Sequence, residues 1–152
     1  LGDRIAVMRG GEIVQAGTTR EIFDHPSDLF VAEMMSEINV VPCKVSGGVA
    51  RGPLGSYPTA ADVTGDALMC FRPRVVRFTD AEDAIPAQVC GTRSLGDETV
   101  VELAVEAVDT PLLARTSVHF EAERGDWVGI EIPAEKVHVF SANHQVRAIL
   151  DG

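Results

Sequence analysis

Apolar and polar positions alternate most cleanly between Ile85 and Glu106. In the second half of that stretch Val101, Leu103 and Val105 fall on one face and Glu102 and Glu106 on the other, the period-two pattern of a half-buried strand. The first half repeats it, with Ile85, Ala87 and Val89 opposed to Gln88 and Thr92. Between them Leu95-Gly96-Asp97-Glu98 supplies a tight reversal, in which Gly96 takes the positive φ of a primed turn and Asp97 tolerates the next position. The pattern predicts a long antiparallel hairpin that buries one face, with the chain from Asn39 to Phe140 supplying the other walls of its core.

Upstream, Arg4–Arg9 and Glu12–Ala16 read as two strands joined by Gly10-Gly11, both able to adopt positive φ. The period changes at Thr18, which with Glu21 three residues later forms a capping box. The helix this starts is expected to turn Ile22 and Phe23 inward and to stop before Pro26. Ser27 is expected to cap a second helix, with Phe30 and Met34 on one core-facing side and Val31 and Met35 beside them. Val40–Val45 is the next strand, and Pro42 in it suggests an edge or a strand start. Glycines and prolines from Gly47 to Gly65 punctuate short strands. They lack the GxxxxGK[ST] spacing of a phosphate loop. Leu68–Arg72 reads as a buried strand closed by Pro73, followed by a short segment from Val75 to Phe78 and a solvated acidic loop, Thr79–Asp83. Strands at Thr110–Thr116, Trp127–Ile132 and Val137–Phe140 complete the series, with a turn at Ala122–Asp126 and a tail beyond Ser141. The fold class expected is mainly β: an OB-fold-like small barrel of short antiparallel strands, preceded by a hairpin and two short helices. Residues 1–37, 38–141 and 142–152 are the expected divisions.

Composition narrows the function. With 152 residues, 45% hydrophobic and 24% charged, the chain is long enough to bury a core without staples. No apolar run approaches the ~20 residues that cross a bilayer, and no signal peptide opens the chain. It starts without Met, directly at a strand, and is expected to be a piece of a larger protein. A net charge of −10 argues against nucleic acid or an anionic membrane as partner. Cys43, Cys70 and Cys90 have no metal-ligand spacing and are expected to be buried, reduced thiols. His25, His119, His138 and His144 sit in separate elements, and no serine or cysteine stands in a nucleophile signature. Nothing in the pattern points to an enzyme.

The residues do carry a resemblance. Asp3–Met8, Gly11–Thr18, Glu21–Pro26 and Phe30–Ala32 resemble the end of the nucleotide-binding domain in ATPase subunits of ABC importers of the maltose, iron(III), polyamine and thiamine type. Asn39, Phe71-Arg72-Pro73, Leu95–Thr99 and Ile132–Phe140 follow in the order of those subunits' C-terminal regulatory extension, the transport-associated OB (TOBE) domain. Thr19 stands where the family usually has Pro, and Met35-Ser36 where Ile-Gly is usual. Walker A, signature, Walker B and switch-histidine motifs are absent from this stretch. The fragment by itself is therefore expected to bind no cofactor, ATP and Mg belonging to the full-length parent.

The resemblance implies a cytoplasmic subunit, peripheral on the inner face of the plasma membrane beneath transmembrane permease subunits, that forms a homodimer through its regulatory domains. Phe71, Arg72, Pro73, Arg93, Leu95, Gly96, Asp97 and Glu98 are the expected interface or regulatory residues. The cargo suggested is iron(III) or a polyamine, from the pattern between Arg93 and Leu103. Two alternatives stay open: sensing of a small ligand or oxyanion, with Arg72 and Arg93 as the nearest cations, and an independent hydrolase. A regulatory protein is a further possible partner.

Overall fold

A computed structural model describes residues 3–117 and 119–142. Two compact units are present, one made by residues 3–38 with Ala142, the other by Asn39–Ser141.

In the first unit, β1 (Arg4–Arg9) and β2 (Glu12–Thr18) pair antiparallel around Gly10 and Gly11, whose φ values of 58° and 83° give the two positive positions such a turn requires. The register slips between Val7 and Met8, leaving Val14 as the extra residue of a bulge. Thr18 caps α1 (Thr19–Asp24) through a complete capping box with Glu21. Only Ile22 of that helix is buried. Phe23, expected inside, is 38% exposed, because a helix of six residues offers its core a single inward position. The cap of α2 (Leu29–Met35) is Asp28 rather than Ser27. Asp28 Oδ1 accepts from Val31 N at 2.9 Å, while Ser27 N donates to Gln15 Oε1 at 2.8 Å. Leu29, Val31 and Ala32 are its buried residues, and Met34, expected in the core, is 62% exposed. Val7, Ile22 and Val31 form this unit's core.

Asn39–Ser141 is an OB-like, mainly β fold built from ten strands among the described residues. One sheet has the order β12-β6-β3-β4-β5: His138–Ser141, Gly65–Phe71, Asn39–Ser46, Val49–Gly52 and Gly55–Pro58. The other has the order β10-β9-β8-β11-β7: Leu112–Ser117, Glu98–Ala104, Ile85–Ser94, Trp127–Glu131 and Arg77–Phe78. All pairings are antiparallel. Both sheets contribute to one core, in which Val41, Met69, Phe71, Val89, Val101, Leu103, Leu112 and Ile130 are almost fully shielded. Pro42 lies inside β3, an interior strand. Pairing of β3 with the short β4 begins only at Lys44, so the strand is locally an edge where its missing N–H falls.

The hairpin that dominates the sequence pattern is β8–β9. Glu102 and Glu106 are exposed while Val101, Leu103 and Val105 are buried. Leu95 N donates to Glu98 O at 2.7 Å, closing a two-residue turn in which only Gly96 has positive φ, 95°. A bulge lies between Val89 and Gly91, making Cys90 the unpaired extra residue. That is why Cys90, expected to be buried, is half-exposed, whereas Cys43 and Cys70 are buried; none is in a disulfide. The predicted tail from 143 onward lies outside the described residues. No described helix is long and apolar enough to cross a membrane.

Candidate regulatory surface

The eight residues expected at an interface separate into two groups. Phe71, Arg72 and Pro73 are interior: Phe71 is fully buried, Arg72 is 7% exposed, and Pro73 opens a 3-10 turn (Pro73–Val75) that packs on β10. Burial lowers the pKa of the Arg72 guanidinium from the ordinary arginine value, an effect opposed by the adjacent Cys70. Arg93, Leu95, Gly96 and Asp97 are exposed and Glu98 is half-buried, at the far tip of the β8–β9 hairpin.

What joins the two groups is Arg74, the residue just past the buried triplet. Its Nη1 lies 2.5 Å from Glu98 Oε1 and its Nη2 donates to Glu98 Oε2 at 3.1 Å, a bidentate clamp of the kind in which guanidinium and carboxylate geometries match. Arg115 of β10 reaches the same carboxylate, Nη1 to Oε2 at 3.5 Å. The clamp stabilises by less than about 1 kcal/mol per contact at such exposure. Its effect is positional, since it ties the hairpin tip to the turn after β6. Ser94 Oγ accepts from Gly96 N at 3.4 Å and adds a second restraint on the tip.

Strand register extends this surface. Arg93 is the cross-strand partner of Val100, and Val100 that of Arg115, so the three share one row and one face of the sheet. Glu98, two residues before Val100, shares that face. The result is a patch on which Arg74 and Arg115 hold Glu98, with Arg93 in the row of Val100 and Leu95, 43% exposed, at the tip. Arg74 and Arg115 were absent from the sequence-based expectation. Arg115 was legible in principle, since alternation along β10 places it opposite the buried Leu112 and Ala114. Arg74 had no periodic signal, because it lies in a turn.

Asn39 ties the two sheets together. As the first residue of β3 it pairs with Phe71 in one sheet. Its side chain accepts from Leu113 N at 2.8 Å and donates to Leu113 O at 2.9 Å, occupying a strand partner's place beside β10. Among the histidines, His25, His119 and His138 stand in separate elements, and His144 lies outside the described residues. No group of three or more His, Cys, Asp or Glu is placed to hold a metal ion among the described residues.

Residues 69–140, which include the buried triplet, Arg74 and the whole hairpin, match the model of the TOBE domain. The chain is 33% identical over 144 residues to the Fe(3+) ions import ATP-binding protein FbpC of Streptomyces coelicolor, covering 94% of this chain and 41% of that protein. It is 33% identical over 161 residues to the xylose/arabinose import ATP-binding protein XacJ of Haloferax volcanii, covering 93% and 42%. It is 27% identical over 153 residues to the sn-glycerol-3-phosphate import ATP-binding protein UgpC of Psychromonas ingrahamii, covering 94% and 41%. The chain thus spans about two fifths of the length of these relatives. Among solved structures, the cytoplasmic molybdate-binding protein ModG superposes with a TM-score of 0.55 at 12% identity, over 68% of this chain and 95% of that one, a likeness of fold.

Proposed function

The chain belongs to the TOBE-bearing ATP-binding proteins of ABC importers, and from that membership we propose that Asn39–Ser141 is a non-catalytic regulatory and dimerisation module of such a subunit. The observation that carries the reading is the Arg74–Glu98–Arg115 clamp, which holds the exposed tip at Leu95 in one position, as a contact surface between two copies requires. In this reading the parent subunit binds ATP and Mg, lies on the cytoplasmic face of the membrane against permease subunits, and imports iron(III) or a polyamine. Among the relatives described above, the Fe(3+) importer's subunit supports iron(III) more than a polyamine. The same region is equally similar to a pentose importer's subunit, which favours a module that regulates rather than one that selects cargo.

A second reading is favoured by the ModG fold likeness together with three arginines on one face: binding of a small oxyanion by Arg74, Arg93 and Arg115. A thermal-shift panel separates the two. A ligand at ~100 times its dissociation constant stabilises by about 2.7 kcal/mol, several degrees for a domain of this size. The regulatory reading predicts no shift with ATP and Mg, sulfate, phosphate, molybdate, iron(III) or spermidine. A rise with one oxyanion would support the second reading, and a rise with ATP would contradict both.

A further inference from the structure

Trp127 is the most exposed large apolar side chain among the described residues, at 68%. It lies toward the base of the β8–β9 hairpin, away from the arginine surface. Register places Ala104, Gln88 and Trp127 in one row across β9, β8 and β11, and Pro86 opposite Gly129 in the next position on the same face. Two clefts meet at this indole. One, of about 610 Å³, runs past Pro53, Pro86 and the segment Ala104–Ala107; the other, of about 440 Å³, runs past Pro86, Phe120 and the loop at Thr79–Ala81. Gly129 makes the second cleft possible. A Cβ there would collide with the Thr79 carbonyl and Ala84, so its absence lets the loop lie against the sheet, held by Thr79 N donating to Gly129 O at 2.9 Å.

The charges lining the two clefts have one sign. Glu106 lines the first cleft and Asp80 the second, and among the described residues no lysine, arginine or histidine lines either. In the adjoining segments Glu82, Asp83 and Asp126 are exposed, together with the cations Arg77 and Arg124, neither of which lines a cleft. An exposed indole between two carboxylate-bearing clefts is complementary to cations carried on apolar stems, because the ring face attracts a guanidinium and the carboxylates accept its N–H groups. We propose that the face centred on Trp127 is a docking site for an arginine-bearing, basic segment of a partner protein, distinct from the surface assigned to self-association. One arginine stacks on the indole, and its neighbours enter the clefts toward Asp80 and Glu106.

The chain's single tryptophan makes the test direct. A synthetic peptide of alternating arginine and glycine is titrated into the 152-residue chain while Trp127 emission is read, with an alternating glutamate-glycine peptide as control. Saturable change is expected with the arginine peptide alone, weakening as salt is raised. The Asp80→Asn/Glu106→Gln variant is expected to lose at least about tenfold in affinity, roughly 1.4 kcal/mol, whereas Glu12→Gln/Glu33→Gln, with the same change in net charge elsewhere, leaves it unaltered. With the fluorophore moved to the peptide and read by anisotropy, Trp127→Leu should lose affinity similarly. An emission response that does not saturate, or equal weakening by both charge-neutralised pairs, would overturn the proposal. So would an emission change with protein concentration in the absence of peptide, which would mark a second copy as the occupant.

Discussion

Replacing Asn39 by alanine is the sharpest test of how the two sheets are joined. The side chain is 7% exposed and satisfies both the N–H and the C=O of Leu113, 74 residues away. Alanine leaves two part-buried backbone groups without these partners. At about 1–3 kcal/mol for each unsatisfied buried group, the cost is roughly 2–6 kcal/mol. A domain of this kind is held by only about 5–15 kcal/mol in total. Taking ~3 kcal/mol and a urea m-value of ~2 kcal/mol/M, the midpoint should fall by about 1.5 M, read by circular dichroism of the strands. Asn39→Asp sharpens the test. It keeps an acceptor for Leu113 N but sets a carboxylate against Leu113 O, a placement that raises its pKa in the folded state. Its stability should therefore approach wild type as pH falls below the unfolded carboxylate range, and the deficit should open as pH rises through the folded value. An Asn39→Ala midpoint within about 0.2 M of wild type, roughly 0.5 kcal/mol on the same slope, would refute the view that this side chain acts as a strand partner.

Other expectations follow from the same geometry. Burial raises the pKa of Cys43 above 9.0 and of Tyr57 above 10.0. The stability these groups contribute is complete below the unfolded values and is lost as pH climbs through the folded ones. Urea midpoints should hold steady up to about pH 8.5 and then decline, and Cys43→Ala should remove the earlier part of that decline. Gly129→Ala forces the Thr79–Ala84 loop off the sheet and should cost about 1–3 kcal/mol by chemical denaturation, with faster amide exchange at Thr79. Arg74→Ala should change stability by less than about 1 kcal/mol, yet loosen the hairpin tip, seen as increased nanosecond motion at Gly96 in NMR relaxation.

How much of this was legible beforehand depended on whether a signal was periodic or local. The alternation from Val101 to Val105 located the central hairpin, because a strand with one face in water must write that fact at every second residue. The Thr18–Glu21 box located the first helix, because it satisfies specific backbone donors. Ser27 against Asp28 was undecidable by type, since either residue can cap, and only the Ser27 N–Gln15 contact favours the later start. Cys90 was misjudged because a bulge shifts the inward-outward phase without altering composition. Of the residues expected at an interface, Leu95–Glu98 stand at the hairpin tip and Phe71–Pro73 in the interior. Arg74 escaped because turn residues carry no periodicity. Trp127 was accessible to a closer reading, since Val128, Ile130 and Ile132 alternate inward and so turn it outward.

The central claim, a module that meets its own copy through the hairpin tip, is tested most directly by sedimentation equilibrium. Across micromolar to millimolar concentrations the chain should move from a 16.2 kDa monomer toward twice that mass. Leu95→Asp, which places a charge at the exposed tip without touching the core, should hold it at the monomer mass. A wild-type mass that stays at 16.2 kDa throughout, or a dimer that Leu95→Asp leaves intact, would contradict the account.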